Sequence, residues 1–404
     1  MSSRIYVFLK EKIELLASSS VITILKNSMI NIIPIIICGS FFLLFFSLFN
    51  GLNFLRDFYL LTMGSISLFL SASIGYNFAQ QYNKDKITFS LVSLASFLII
   101  INIQEIEKKK YILIKEFSAD NMFLSIIVGL VSCYVFTFIY KILGKIFNNK
   151  DIPESVRNSL NSIFPFFITL VLVIWIFKNL NLKLILIKLL EPINTFGDSI
   201  ITVILANLFL HIMNFFGIHG ISIINSILLP LWQKYLVLNA ENFTNHLPMN
   251  YITAYPFFQW FVWIGGAGST LSLNILLLFS KNQYLKNIGK TSIVTSLFNI
   301  NEPLLFGLPI IFNPYFSIPF ILAPIITSII SYFAIYFNLV SKVYIEVPWF
   351  LPFFIGSYLS TSDYKAVILS FLNLFVSMII YYPFLVLYTK HIENKEKSKI
   401  DTQN

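Results

Sequence analysis

Between Ser296 and Pro324 the chain reads S-L-F-N-I-N-E-P-L-L-F-G-L-P-I-I-F-N-P-Y-F-S-I-P-F-I-L-A-P, setting one carboxylate, Glu302, and three carboxamides, Asn299, Asn301 and Asn313, in otherwise apolar sequence. Prolines at 303, 309, 314, 319 and 324 each remove a backbone donor and disfavour α geometry in the preceding residue, so Glu302 is expected where a helix is broken. A carboxylate at membrane depth is expensive, and its default role is contact with an ion or substrate; the alternative is a structural Glu paired with a Lys or capping a hairpin. His219 lies in G-I-H-G, where Gly217 and Gly220 permit close approach of a backbone or ligand, although a lone His among apolar residues also serves as a hydrogen-bonded core residue. Trp349, between Pro348 and Phe350, offers an aromatic face, while composition alone favours an interfacial belt Trp.

A carboxylate, an imidazole, an aromatic face and several amides suit sugars, whose hydroxyl edges want acceptors and amides and whose apolar faces want an aromatic platform. An amino-acid carrier would instead aim a helix N-terminus at the substrate carboxylate. An ion pump would hold more buried ionisable residues than this sequence does.

The elements that must carry these residues are membrane helices. Of 404 residues, 57% are hydrophobic and 12% charged, against about half and about a quarter in soluble domains. Apolar runs near the crossing length of about 20 residues recur along the chain, giving an expected all-α polytopic protein with about ten crossings. Continuous Ile/Leu/Phe runs argue against a β-barrel. The net charge of +9 reads as basic cytoplasmic loops, and no basic tract interleaved with aromatics points to nucleic acid. Cys38 and Cys133 both lie in apolar runs and read as small buried hydrophobes; neither a disulfide framework, a metal site nor a cofactor is expected.

Residues 1–27 form a polar, basic segment without a cleavage pattern, so the first crossing is expected to be retained. Crossings are expected near 28–50, 58–79, 87–103, 121–143 and 160–177. Lys84 and Lys86, and then Lys141, Lys145, Lys150 and Arg157, fall on alternate loops, which places those loops and both termini in the cytoplasm. The Lys residues of the loop at 105–120 are matched by acidic ones. Residues 178–195 read as an amphipathic helix in the interface, and the boundary between two halves, 28–195 and 196–389, is set there. From 217 to 270 the segments look too interrupted for standard crossings and suit a re-entrant hairpin. The run Gly265–Thr270 lacks the Lys and the strand of a phosphate loop and reads as close helix packing. Crossings near 262–280, 318–339 and 366–389, a second broken piece at 347–363, and a charged cytoplasmic tail at 390–404 complete the chain.

The segment F-N-I-N-E-P-L-L-F-G-L-P-I-I-F-N-P (298–314) resembles the signature of enzyme IIC, the membrane-embedded sugar permease component of the bacterial phosphoenolpyruvate-dependent phosphotransferase system (PTS), in its lactose/cellobiose/diacetylchitobiose family. The stretches I-P-I-I-I-C-G-S-F-F-L-L (33–44), F-F-G-I-H-G (215–220), W-I-G-G-A-G-S-T-L-S-L (263–273) and V-P-W (347–349), with Asp363 following, agree in order, and the resemblance covers roughly residues 20–390. It implies a homodimer in a bacterial cell membrane, each subunit with ten crossings and two re-entrant hairpins. The N-terminal half would dimerise and the C-terminal half bind sugar. Glu302, His219 and Trp349 match the family's site glutamate, histidine and a sugar-contacting tryptophan; Asn301, Gly217 and Gly220 lie in the same motifs. A disaccharide would be carried inward by movement of the C-terminal half, and its 6-hydroxyl would receive a phosphoryl group from a phosphocysteine on a partner IIB protein, itself charged by IIA. The chain holds no IIA or IIB domain, so chemistry is expected only with that partner. One departure stands out: five residues before the site histidine, where the family commonly has a stacking Trp, this chain has Asn214. An ion-coupled secondary sugar transporter, with Glu302 carrying the proton, is the alternative.

Overall fold

A computed structural model of the chain describes residues 19–48, 53–101, 104–106, 109–143, 154–179, 188, 196–215, 220–308, 310 and 313–401. Helices dominate, as the apolar runs require, because a helix satisfies every backbone polar group within its own segment. The chain divides into two compact units, Met1–Thr195 with Asn225–Glu241, and Phe196–Ile224 with Asn242–Asn404.

The first unit is built from α1 (Ser20–Leu48), α2 (Asn53–Leu61), α3 (Ile66–Gln81), α4 (Lys86–Ile100), α5 (Met122–Leu143) and α6 (Glu154–Asn179). Asp85 caps α4 by accepting a bond of 2.8 Å from Thr88 N. Phe97, Ile101, Leu124, Val128, Val173 and Phe177 form a buried cluster joining α4, α5 and α6. The loop expected at 105–120 contains a small hairpin, Gln104–Ile106 against Lys109–Tyr111, in a register that sets Glu105 opposite Lys110.

The second unit starts with α7 (Ile200–Phe215), and α8 (Gly220–Thr244) contributes its residues 225–241 to the first unit. α8 corrects the expectation that 217–270 is broken throughout: Gly220–Thr244 is one helix of 25 residues with Pro230 inside it. Proline is tolerated there because neighbouring groups in a membrane protein re-satisfy the freed carbonyl. The interruption comes later. A short turn (Tyr255–Phe257) runs into a π-helical segment, Phe258–Val262, then an irregular loop, then α9 (Leu271–Leu278), so the crossing expected near 262–280 is not a single helix. α10 (Gln283–Leu297), the short α11 (Glu302–Gly307), α12 (Pro314–Tyr336), α13 (Phe353–Thr361) and α14 (Tyr364–Asp401) follow. Ile264, Leu271, Phe353 and Leu374 form a buried cluster that holds the irregular loop against α9, α13 and α14.

Among the described residues six helices are long and apolar enough to cross a membrane, including Ser20–Phe46, Ala119–Leu143, Tyr315–Tyr336 and Tyr364–Asn394; Lys86–Ile100 and Ile200–Phe215 are shorter apolar helices. The interfacial helix expected at 178–195 falls almost wholly outside the described residues; Lys178 itself lies in the last turn of α6. Cys133 is buried as expected, but Cys38 is exposed, because it lies on the outward face of α1 rather than toward α3.

Candidate functional site

Glu302 sits at the first position of α11, immediately after a true break. α10 ends at Leu297, Asn299 takes a left-handed backbone (φ 63°), and Pro303 follows Glu302. Asn tolerates that conformation, so the Asn-Ile-Asn-Glu-Pro sequence is itself the reason the helix stops and restarts. The carboxylate is exposed into a cavity, not buried as a charge in packed protein.

The two flanking asparagines are clasps. Asn299 Oδ1 accepts from Gly265 N (3.0 Å), and its Nδ2 donates to Trp349 O (2.8 Å) and Leu351 O (2.9 Å). One side chain thereby ties the glycine loop and the Trp349 turn to the break that carries Glu302. Asn301, 7% exposed, donates from Nδ2 to Ala267 O (2.8 Å) and Thr270 Oγ1 (3.0 Å). Both of its donors are used to hold the loop, leaving Oδ1 as the atom with which it can meet a ligand.

The loop Gly265–Thr270 is not the close helix packing expected from its small residues. Gly265, Gly266 and Gly268 have φ of 77°, 99° and 84°, and Ser269 is also left-handed. A Cβ on Gly266 would come within 2.7 Å of the Asn301 carboxamide, and one on Gly268 would collide with the Phe320 ring. Glycine is required at both positions by conformation and by space.

A second set of polar residues supports the loop from α7 and was not singled out in the sequence. His211, fully buried, places Nδ1 2.7 Å from Asn207 O, and its Nε2 accepts from Gly268 N at 2.9 Å. Those two bonds fix a neutral imidazole protonated on Nδ1. Asn207 Oδ1 accepts from Trp263 Nε1 at 2.9 Å, and Tyr381 OH donates to Gly268 O at 2.8 Å. The spacing Asn207, His211, Asn214 is i, i+4, i+7 on one face of an apolar helix, a signal that was available in the sequence.

These elements enclose a cavity of about 400 Å³, all of whose described lining residues belong to the second unit. Its size lies within the usual range for small-molecule sites, roughly 300–1,000 Å³. Glu302 is the only charged residue among the described lining residues; Asn214, Gln259, Asn299 and Asn301 supply carboxamides. Trp349 is 53% exposed, with its ring edge-on to Phe350 (centroids 6.0 Å apart), so a broad face remains open. Asn214 Oδ1 accepts from Gly220 N at 2.7 Å, and a Cβ on Gly220 would strike the Leu210 carbonyl. Asn214 and Gly220 thus pin together the two ends of the segment 215–220. Gly217 and His219, the remaining expected site residues, lie outside the described residues. The cavity therefore brings together Glu302, Asn301, Asn214 and Trp349, while Gln259 joins them unannounced by the sequence.

The chain is similar to known proteins over most of its length. The family described as "Phosphotransferase system, EIIC" matches residues 26–324. The oligo-beta-mannoside-specific EIIC component of Bacillus subtilis (strain 168) is 31% identical over 353 residues, covering 84% of this chain and 80% of that protein. The cellobiose-specific EIIC component of Geobacillus stearothermophilus is 28% identical, covering 83% and 80%. The crystal structure of the transporter ChbC, the IIC component of the N,N'-diacetylchitobiose-specific phosphotransferase system, superposes with a TM-score of 0.88 at 26% identity, covering 97% of this chain and 98% of that one.

Proposed function

The chain belongs to the phosphotransferase system EIIC family, and from that premise we propose that it binds a β-linked disaccharide in the cavity around Glu302 and passes it inward as the sugar is phosphorylated by a IIB partner. The observation that carries this reading is the convergence of one carboxylate, four carboxamides and an open Trp face on a single cavity. Relatives named for oligo-β-mannosides, cellobiose and diacetylchitobiose set the substrate class. Trp349 supplies a platform for an apolar sugar face, and the carboxamides and Glu302 bond the hydroxyl edges. His219, Gly217 and Gly220 complete the site in this reading.

In the transfer step Glu302 accepts a hydrogen bond from the sugar's 6-hydroxyl, orients it and takes its proton as the oxygen attacks phosphorus. The O–P bond forms, the S–P bond of the IIB phosphocysteine breaks, and the thiolate leaves; IIA recharges IIB. Phosphoryl transfer of this kind rests mainly on positioning, which is what the Asn299 and Asn301 clasps provide. Residues 28–195 serve as scaffold and homodimer contact, and 196–389 as the moving transport half, a division supported by the confinement of the cavity lining to the second unit. The termini, residues 1–27 and 390–404, are cytoplasmic. Lys84 and Lys141, from two loops assigned to the cytoplasm by charge, line one common cavity of the first unit, which favours that orientation. Lipid surrounds the apolar helices. Family membership supports this reading over proton coupling through Glu302.

The test is vesicle uptake with phosphorylated IIB. Glu302→Gln is expected to fold and to abolish accumulation of sugar phosphate. Undiminished accumulation would remove Glu302 from the site, and uptake of unmodified sugar driven by a proton gradient would overturn the phosphotransferase reading.

A further inference from the structure

Gln259 is 6% exposed and lines the cavity, yet neither its Nε2 nor its Oε1 has a hydrogen-bond partner among the described residues. Buried polar groups are nearly always partnered, so a carboxamide unsatisfied at both ends calls for a cause. Its place on the chain supplies one. Gln259 lies on the π-helical segment Phe258–Val262, whose other side chains, Phe258, Trp260, Phe261 and Val262, are buried to within 1% in apolar packing. A Cβ on Gly356 would press into the Trp260 ring, so the segment is wedged tightly on the side away from the cavity. The carbonyl of Phe261 is held from outside by Asn373 Nδ2 at 2.9 Å. A π turn re-aims side chains within a helix and occurs frequently at functional sites. Here the one polar residue of the turn is the one that borders the cavity.

We infer that Gln259 is a specificity-determining residue that grips two adjacent hydroxyls of the bound sugar, one donating to Oε1 and the other accepting from Nε2. The inference rests on the sugar-binding reading of the same cavity and goes beyond it in assigning a residue and a hydroxyl pattern. A carboxamide carries both a donor and an acceptor, which an ionised carboxylate does not, and a vicinal diol presents the matching pair. Rotation about the flexible Gln side chain brings the amide to the sugar. Because the amide has no protein partner to give up, nearly the full benefit of those bonds goes to binding. A sugar lacking one of the two hydroxyls leaves the buried amide unpaired again, the situation in which polar sites discriminate most strongly.

The experiment uses the purified full chain and a panel of mannobiose, cellobiose, lactose and N,N'-diacetylchitobiose, followed by monodeoxy analogues of the tightest binder. Gln259→Met, which keeps the volume and removes both polar atoms, is expected to bind that sugar about tenfold more weakly or worse. Among the deoxy positions that weaken wild-type binding, one adjacent pair should make no difference to Gln259→Met. Gln259→Glu, which keeps an acceptor but loses the donor, should be sensitive at only one of the two. Without sugar, the melting temperature of Gln259→Met should equal or exceed that of the wild type, since an unsatisfied group has been removed. Binding by Gln259→Met within twofold of wild type, or a melting temperature several degrees lower without sugar, overturns the inference while leaving the proposed function in place. Failure of the wild type to bind any of the four disaccharides is a separate result, seen before any variant is made, and it overturns both.

Discussion

The two units meet one problem, burying backbone polar groups in apolar protein, by different means. In the first unit the side-chain bonds are added to helices that are already complete. Ser28 Oγ donates to Ser73 O (3.2 Å) and Ser73 Oγ donates back to Ser28 O (3.1 Å); Ser71 and Ser93 repeat the exchange at 3.0 and 2.6 Å. These carbonyls belong to intact helices and accept a second bond, while the small side chains let α1, α3 and α4 approach closely. In the second unit the side-chain bonds replace helical ones that do not exist. Between Phe261 and Ala267, and at Gly268, the backbone is held by Asn373 and Tyr381 from α14, Asn299 and Asn301 from the break before α11, and His211 from α7. The lesson is that a membrane protein can open its backbone around a ligand only where long polar side chains stand in for the missing helix.

The comparison is tested hardest at Asn299. Asn299→Ala leaves the partly buried Gly265 N and Leu351 O and the more exposed Trp349 O without their partner, and each buried loss costs about 1–3 kcal/mol. We expect destabilisation of about 3 kcal/mol or more, together with loss of sugar binding as Trp349 is released, read by melting in detergent and by tryptophan fluorescence. A near-neutral result would mean that the loop supports itself.

His211 comes next. His211→Leu orphans Gly268 N and should cost about 2 kcal/mol in the same melting assay. His211→Gln, which can offer Gly268 an acceptor oxygen, should recover part of that loss. Equal destabilisation by Leu and Gln would show that ring packing against Phe320, 5.3 Å away between centroids, matters more than the bond.

Asp363 joins the same strategy to an ordinary cap. Its Oδ1 accepts from Lys365 N at the start of α14 (2.9 Å), and its Oδ2 accepts from Ser341 N (3.0 Å) and Ser341 Oγ (2.9 Å). Partial burial raises the carboxyl pKa, but the bonds from Lys365 and Ser341 and the Lys365 charge outweigh it and hold the group below its usual value. The carboxylate therefore contributes stability above the ordinary Asp pKa, and that contribution is lost as pH falls through the depressed value. Asp363→Ala should cost about 1 kcal/mol at neutral pH, and the difference from wild type should shrink on acidification toward pH 3. A gap that does not depend on pH would reduce Asp363 to an uncharged cap.

How much of this could be read in the sequence follows the same division. Helices α1, α4, α5 and α6 are legible because an apolar run of crossing length has one low-energy solution, and the break at Glu302 is legible because prolines and paired asparagines announce it. The interruption expected across 217–270 does not extend to α8, because a helix packed in a membrane protein absorbs a proline such as Pro230. The glycine loop was misread because glycine reports neither its φ nor its neighbours; the 2.7 Å approach of Asn301 to Gly266 exists only in three dimensions. No glycine or proline adjoins His211, although the Asn207–His211–Asn214 stripe is visible in the sequence, and nothing in the spacing around Gln259 marks it within its interrupted stretch. Polar residues in uninterrupted apolar helices therefore merit the same scrutiny as those beside breaks.

The smallest expected effect sets the other end of the scale. Ser71→Ala removes a hydroxyl that donates to Ser93 O and lies 3.2 Å from Ser93 Oγ, but it strands no backbone group, because the Ser93 carbonyl belongs to α4 and Ser93 Oγ still has Ser71 O. The lost bond is worth about 0.5–1 kcal/mol, in the range measured for interhelical bonds between membrane helices. The double variant Ser71→Ala/Ser93→Ala should be close to additive or milder, since removing both partners leaves nothing unpaired and the smaller side chains keep the helices close. Sugar binding should be unchanged in both, measured by the same titration used for Gln259→Met. If Ser71→Ala matched Asn299→Ala in the melting assay, the distinction between added and substituted bonds would fail, and the serine pairs would have to be counted among the contacts that hold the first unit together.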